Sequence, residues 1–226
     1  MQLIDADKAQ HGLTIVANSQ TDGKGQRGKT WTDAPGYSLL MSIIVQPKEP
    51  ISAQFAFNAS IAVAIANVLA KLNENWRLHI KWPNDIIIND KKAGGILIEN
   101  VLRGSKWTHA VIGLGLNANQ THFNDNLPFA TSLSIHSGEN YVIKELMYLI
   151  RNEILKAIKY QMPVAETMKQ YNNRLYKKGQ LQVFGNGVQE WQATVLSVAD
   201  DGLLDVQLTD GTIVRYSHGQ VMWVWQ

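Results

Sequence analysis

Three cations stand close together in a glycine-rich stretch, Gly23-Lys24-Gly25-Gln26-Arg27-Gly28-Lys29-Thr30. Lysine and arginine on a glycine backbone can close over an anion. The residue order also fits two phosphate-binding patterns, G-x-x-x-x-G-K-[ST] and, over its first six residues, G-x-G-x-x-G. Both need a strand running into the glycines and a helix directly after them, so that the helix N-terminus faces the phosphates. Here the polar run Asn18 to Asp22 separates the glycines from the strand expected at 13–17. Downstream, Pro35-Gly36 signals a turn where a helix is required. Glu49, at the right distance for a ribose-binding acid, sits in the turn Pro47-Lys48-Glu49-Pro50. Both patterns are therefore set aside. The plain alternative is a solvated loop, and Trp31 argues against it, because an indole in a polar loop needs a surface or a ring to pack on.

A second stretch, Lys81-Trp82-Pro83-Asn84-Asp85, sets an ammonium, an indole, a rigid turn, an amide and a carboxylate between two apolar runs. Lys92-Ala93-Gly94-Gly95 then opens a strand with paired glycines, a sign of close approach by a backbone or ligand. A third stretch, Val111 to Asn119, again carries glycines inside a strand, at 113 and 115, and ends in asparagines.

The elements that must position these residues follow from periodicity. Strands are expected at 13–17, 37–45, 78–82, 85–88, 95–101 and 108–116. Apolar residues recurring at Phe55, Ala59, Ala62, Val63, Ala66, Leu69 and Ala70 predict a helix beginning at an N-cap Ser52. Further helices are expected at 145–160 and 164–176, either side of Pro163, and the end of another over 2–10. Beyond Lys177-Lys178-Gly179, five short alternating stretches separated by Gly and Asp turns predict a small all-β unit.

The chain has 226 residues, 45% hydrophobic and 18% charged, with a net charge of +2, enough for one large domain or one domain with a small appendage. That charge is too small to imply duplex nucleic acid as the main partner. Cysteine is absent, which excludes disulfides, thiolate metal sites and cysteine nucleophiles. The six histidines show no metal-binding spacing, so no tightly bound metal is expected. The start lacks the apolar core of a signal peptide, and no apolar run is expected to span a membrane; a cytoplasmic location is expected.

Taken in order, the segments Gly23 to Trp31 preceded by Gln20, Lys81 to Asp85, Lys92 to Glu99, Val111 to Asn117 and Ala130 to Leu133 resemble the biotin protein ligases. The resemblance runs from about residue 10 to the end. It implies an α+β fold: a mixed, largely antiparallel sheet with packed helices, of the class II synthetase-like type, followed by a small SH3-like β-barrel. The expected division is a catalytic domain over 1–177 and the β domain over 178–226. It implies that biotin and MgATP give biotinyl-5′-AMP and pyrophosphate, and that a lysine of a biotin carboxyl carrier domain then takes the biotinyl group.

By the same resemblance Lys92, Arg27 and Asp85 are the catalytic candidates. Gln20, Lys24, Gly25, Gln26, Lys92, Gly94 and Gly95 fall on the biotin side; Lys24, Arg27, Trp31, Asn84, Lys92 and Asn117 fall on the ATP side. Asp85 holds Mg²⁺ or helps to deprotonate the acceptor lysine, and the sequence leaves both open. Two departures stand out. Gln26 replaces an arginine found in many relatives, which loosens the expected hold on the intermediate. The Ser/Thr-Asn segment that reads the ureido ring in the family has no match before Gln20, so a late-starting chain with weakened biotin binding is expected. No DNA-binding partner or membrane is implied, and pairing into homodimers through sheet edges is. The alternatives are a lipoate or octanoate ligase or transferase of the same superfamily, and a non-catalytic ligand-binding remnant.

Overall fold

A computed structural model describes residues 2–5, 8–28, 30–31 and 34–225. In chain order the elements are α1 (Gln2–Asp5), β1 (Leu13–Ala17), β2 (Gly23–Lys24), β3 (Thr30–Trp31), β4 (Ser38–Val45), α2 (Gln54–Leu72), β5 (Leu78–Lys81), β6 (Asp85–Ile88), β7 (Lys91–Arg103) and β8 (Lys106–Asn117). They continue with α3 (Leu133–Ser137), α4 (Ile143–Lys159), α5 (Val164–Asn173), β9 (Leu181–Gly185), β10 (Glu190–Val198), β11 (Leu204–Leu208), β12 (Ile213–Tyr216) and β13 (Met222–Trp223). Six strands form an antiparallel sheet in the order β1-β4-β8-β7-β6-β5, and the last five form a second antiparallel sheet, β12-β11-β10-β9-β13. The fold is α+β, as the sequence implied.

The larger sheet is organised by what its strands bury. In β4 seven of eight residues are buried, the continuous pattern of a strand covered on both faces. The alanine-rich α2 is buried nearly all round, its small side chains letting it lie deep against the sheet. Its stretch over 51–72 is long and apolar enough to match a membrane span by composition, which corrects the expectation from sequence. Most of that stretch is buried inside the protein, as a core helix must be. In α4 the residues Leu146, Ile150, Ile154 and Ile158, spaced four apart, point one stripe at the same core. Burying each such side chain contributes about 1.5–3 kcal/mol.

Other local expectations need adjustment. Ser52 lies in a 3-10 turn (Ile51–Ala53), and α2 begins after Ala53 with no side-chain cap, so packing supplies what the cap was expected to supply. Strands β2 and β3 pair as a short antiparallel hairpin, and Gln26–Gly28 after β2 form a 3-10 turn. Strands β7 and β8 form a much longer ribbon than periodicity suggested. Helix α3 went unforeseen because its five residues fall below helical periodicity; Ser132 caps it, accepting from the Ile135 amide.

The two sheets meet tightly beside the Lys81-to-Asp85 turn. The Trp82 indole N–H donates to the Gly202 carbonyl at 2.9 Å. Gly202 has φ +87°, and a Cβ there would lie 2.4 Å from Phe55 Cδ2. Gly202→Ala is expected to cost about 2–4 kcal/mol, combining positive-φ strain with overpacking. A chain of this size then melts roughly 5–15 °C lower, measurable by calorimetry. An unchanged melting temperature would show that Phe55 moves aside freely.

Candidate functional site

Register brings the site together. Asp85 on β6 pairs with Gly95 on β7, and Gly95 pairs with Gly115 on β8, so these three residues form one row across the sheet. Two adjacent glycines leave a bare patch of backbone in that row. Between Ile86 and Ile87 the β6–β7 register shifts by one residue at Ala93. A bulge of this kind re-aims a side chain. Without it, Lys92 would point to the opposite face from Gly95; with it, the Lys92 ammonium reaches Asp85 Oδ1 at 2.7 Å. The Lys92 backbone is fixed independently, its N–H donating to the Phe129 carbonyl at 2.7 Å and its carbonyl accepting from the Thr131 N–H at 2.9 Å.

The indole of Trp31 lies over this patch. A Cβ added to Gly115 would meet the indole at 2.7–3.0 Å, and one added to Gly95 would lie 3.6 Å from Trp31, Asp85 and Lys92 alike. The Lys92 ammonium is 6.0 Å from the indole centroid. Gly95 thus faces a hollow walled by a carboxylate, an ammonium and an aromatic face. Gly94 does something else: a Cβ there would come within 2.9 Å of the Gly115 carbonyl, so its glycine serves the packing of β7 on β8.

The remaining candidates are placed as follows. Gln20 lies beside the hairpin, its Oε1 2.6 Å from where a Gly23 Cβ would stand, and Lys24 is exposed. Gly25 and Gln26 are half-buried in the turn. The side chain of Arg27 and the whole of Lys29 lie outside the described residues. Asn84 donates its amide to the Ile96 carbonyl, and Asn117 donates to the Thr131 carbonyl at 2.9 Å, so both amide donors already tie strands and loops together. Among the described residues no cluster of three or more histidine, aspartate or glutamate side chains is arranged to hold a metal.

Sequence reasoning missed two supports. Lys81 is only 6% exposed; its ammonium donates to the Trp223 carbonyl at 3.1 Å and lies 4.0 Å from the Trp225 ring centroid. Trp225 stacks on Phe129 at 5.1 Å, and Phe129 holds the Lys92 backbone, so the second sheet's end buttresses the lysine. The signal was in plain view as the tryptophans at 223 and 225, but their partners are distant in sequence. The second support is His136. Its Nδ1 lies 3.1 Å from the Asn89 amide and its Nε2 2.9 Å from Thr131 Oγ1, tying the β6–β7 turn to the segment over Lys92.

Burial, with the nearby Lys91 charge, holds the His136 pKa below the usual histidine value. Half-buried His79 is lowered too, again chiefly by burial. A neutral ring is thus favoured in the folded state, while the unfolded chain protonates near 6.5. The unfolded state therefore binds more protons as pH falls below that value, and stability drops. We expect the melting temperature to fall between pH 7 and pH 5 and the slope to be shallower in His136→Asn. A melting temperature that rises on acidification would remove this linkage.

The chain's residues 2–117 match the profile of the biotin/lipoate A/B protein ligase family. The chain belongs to that family. Among curated relatives of this ligase family, the bifunctional ligase/repressor BirA of Bacillus spizizenii is 37% identical over 136 residues, covering 59% of this chain and 42% of the relative. The biotin--[acetyl-CoA-carboxylase] ligase of Paracoccus denitrificans is 33% identical over 105 residues, covering 46% and 43%. The chain thus matches about two-fifths of the length of these two proteins. In fold it is similar to the biotin protein ligase of Aquifex aeolicus in complex with biotin and ATP, with TM-score 0.81 and 21% identity over 96% of this chain and 91% of the other. The biotin protein ligase of Leishmania major in complex with biotin is 25% identical with TM-score 0.62, over 96% and 92%.

Proposed function

We propose that this ligase-family chain joins biotin to ATP and passes the biotinyl group to a lysine of a biotin carboxyl carrier domain. In the first step a biotin carboxylate oxygen bonds to the α-phosphorus, the bond to the β-phosphate oxygen breaks, and pyrophosphate leaves. In the second the lysine amine attacks the biotinyl carbonyl, AMP departs, and the amine proton is lost. The observation that carries this reading is the hollow over Gly95, walled by Lys92, Asp85 and Trp31 on a sheet of this family.

Bringing two anions to about 4 Å costs roughly 4 kcal/mol per charge pair at an effective dielectric of 20. Lys92 is assigned to offset that repulsion between the carboxylate and the α-phosphate, with Lys24 and Arg27 closing from the hairpin. Gln20, Gly25, Gln26 and Gly95 are assigned to the biotin side. Trp31, Asn84 and Asn117 go to the nucleotide side, although the Asn117 carbonyl oxygen already accepts from the Gln120 amide at 3.4 Å. Mg²⁺ comes in on the ATP phosphates, and Asp85 is assigned either to hold it or to help deprotonate the acceptor lysine. The same reading divides the chain into a ligase domain over 1–177 and an SH3-like unit over 178–226. It also pairs two copies through the exposed edge of β1, where Ile15 and Val16 are each nearly half exposed.

Biotin-dependent exchange of labelled pyrophosphate into ATP tests the first step. Exchange with biotin and none with lipoate or octanoate supports the reading. Exchange driven by lipoate or octanoate alone favours the sister activities, and silence with all three favours a binding role.

A further inference from the structure

At the end of the larger sheet opposite the glycine hollow, a cleft of 910 Å³ opens between the end of α4, the β7–β8 turn and the residues after β4. That volume lies within the range of small-molecule sites. Trp107, which lines it, is eight residues from Gly115 along β8, a separation of about 25 Å at strand rise. The cleft is therefore separate from the proposed ligase site.

Its walls divide by chemistry. Trp107 (4% exposed), Ile158 (5%) and half-buried Leu155 make an apolar floor. Lys48, Lys106 and Lys159 stand exposed at its rim beside Arg103. Among the described lining residues there is no aspartate or glutamate. Arg103 already donates to the Ile4 carbonyl at 3.2 Å, so the argument rests on the lysines. The indole N–H of Trp107 and Nδ1 of His109, both on residues of this wall, are buried without a hydrogen-bond partner. With a net charge of only +2 over the whole chain, this is a local concentration of cations rather than a general basic surface.

We propose that this cleft binds a small amphiphilic organic anion, its acidic group at the Lys48, Lys106 and Lys159 rim and its apolar body on Trp107, Leu155 and Ile158. Neighbouring cations repel one another, and an anion relieves that repulsion. An apolar floor rewards a ligand that also displaces water from it. An inorganic anion leaves the floor wet, and a neutral hydrophobe leaves the cations uncompensated.

The test is a fluorescence titration of the full chain with 8-anilinonaphthalene-1-sulfonate, in the presence of saturating biotin and a non-hydrolysable ATP analogue. Uncharged N-phenyl-1-naphthylamine and inorganic phosphate serve as controls. We expect one probe per chain, undisturbed by biotin or nucleotide and weakened by added salt. Lys48→Glu/Lys106→Glu, at two exposed positions, should weaken it by about tenfold or more, the equivalent of about 1.4 kcal/mol. Pyrophosphate exchange in that variant should match the unaltered chain. Displacement by biotin, indifference to the charge reversals, equal affinity for the uncharged probe, or equal affinity for phosphate alone would each overturn the proposal.

Discussion

Lys92→Ala abolishes nearly all biotin-dependent pyrophosphate exchange, by about 10²–10³-fold, while the melting temperature stays within a few degrees of the unaltered chain. The two halves of this expectation have different physical origins. Fold survival follows from the backbone: the Lys92 N–H and carbonyl hold Phe129 and Thr131, and alanine keeps both bonds. The ion pair with Asp85 is partly exposed, 34% and 22%, and a pair of that kind contributes about 1 kcal/mol or less to stability. Activity is lost because Lys92 is the cation that the bulge sets against Asp85 and Gly95, and without it the approach of carboxylate to α-phosphate loses its main compensation. Lys92→Arg keeps charge but not reach, and should recover only part of the rate. Exchange within twofold of normal in Lys92→Ala would take this lysine out of the proposed mechanism.

Gly115→Ala is expected to reduce exchange by about 10–100-fold, because the new methyl would sit 2.7 Å from Trp31 Cε2 and must push the indole by about 1 Å. Gly115 has no positive φ, so alanine suits its backbone and the strand should persist. The neighbouring glycines give the contrast. Gly95→Ala adds a methyl at ordinary contact distance from Trp31, Asp85 and Lys92, filling the hollow without moving its walls. Its penalty should appear in biotin affinity with little change in melting temperature. A double-mutant cycle isolates the Trp31 contribution at Gly115. In a Trp31→Ala background, itself impaired by loss of the aromatic wall, Gly115→Ala should cost little more. An equal penalty in both backgrounds would place its effect elsewhere on β8.

The sequence by itself determined most of the elements and put forward the candidate site residues. Apolar runs specified β4 and the strands around the glycines, recurring apolar residues from Phe55 to Ala70 specified α2, and turn residues marked out each short strand after Gly179. Such signals are local, since periodicity and turn chemistry act over a few neighbours. Ordered motifs likewise named Lys92, Asp85 and Trp31 before their contacts were seen. What tertiary structure alone decided was which face each residue takes and what stands behind it. A one-residue bulge at Ala93 turns Lys92 toward Asp85, and no local pattern announces a bulge, because it arises from how two strands settle their register. Gly94 and Gly95 look alike in sequence and differ only because alternate residues face opposite sides of a pleated strand. Nothing local to Lys81 or His136 announces a supporting role: Trp223 and Trp225 reach Lys81, and Asn89 reaches His136, from distant parts of the chain. Burial and pairing of that kind depend on the whole packed molecule, which is why only the fold could assign them.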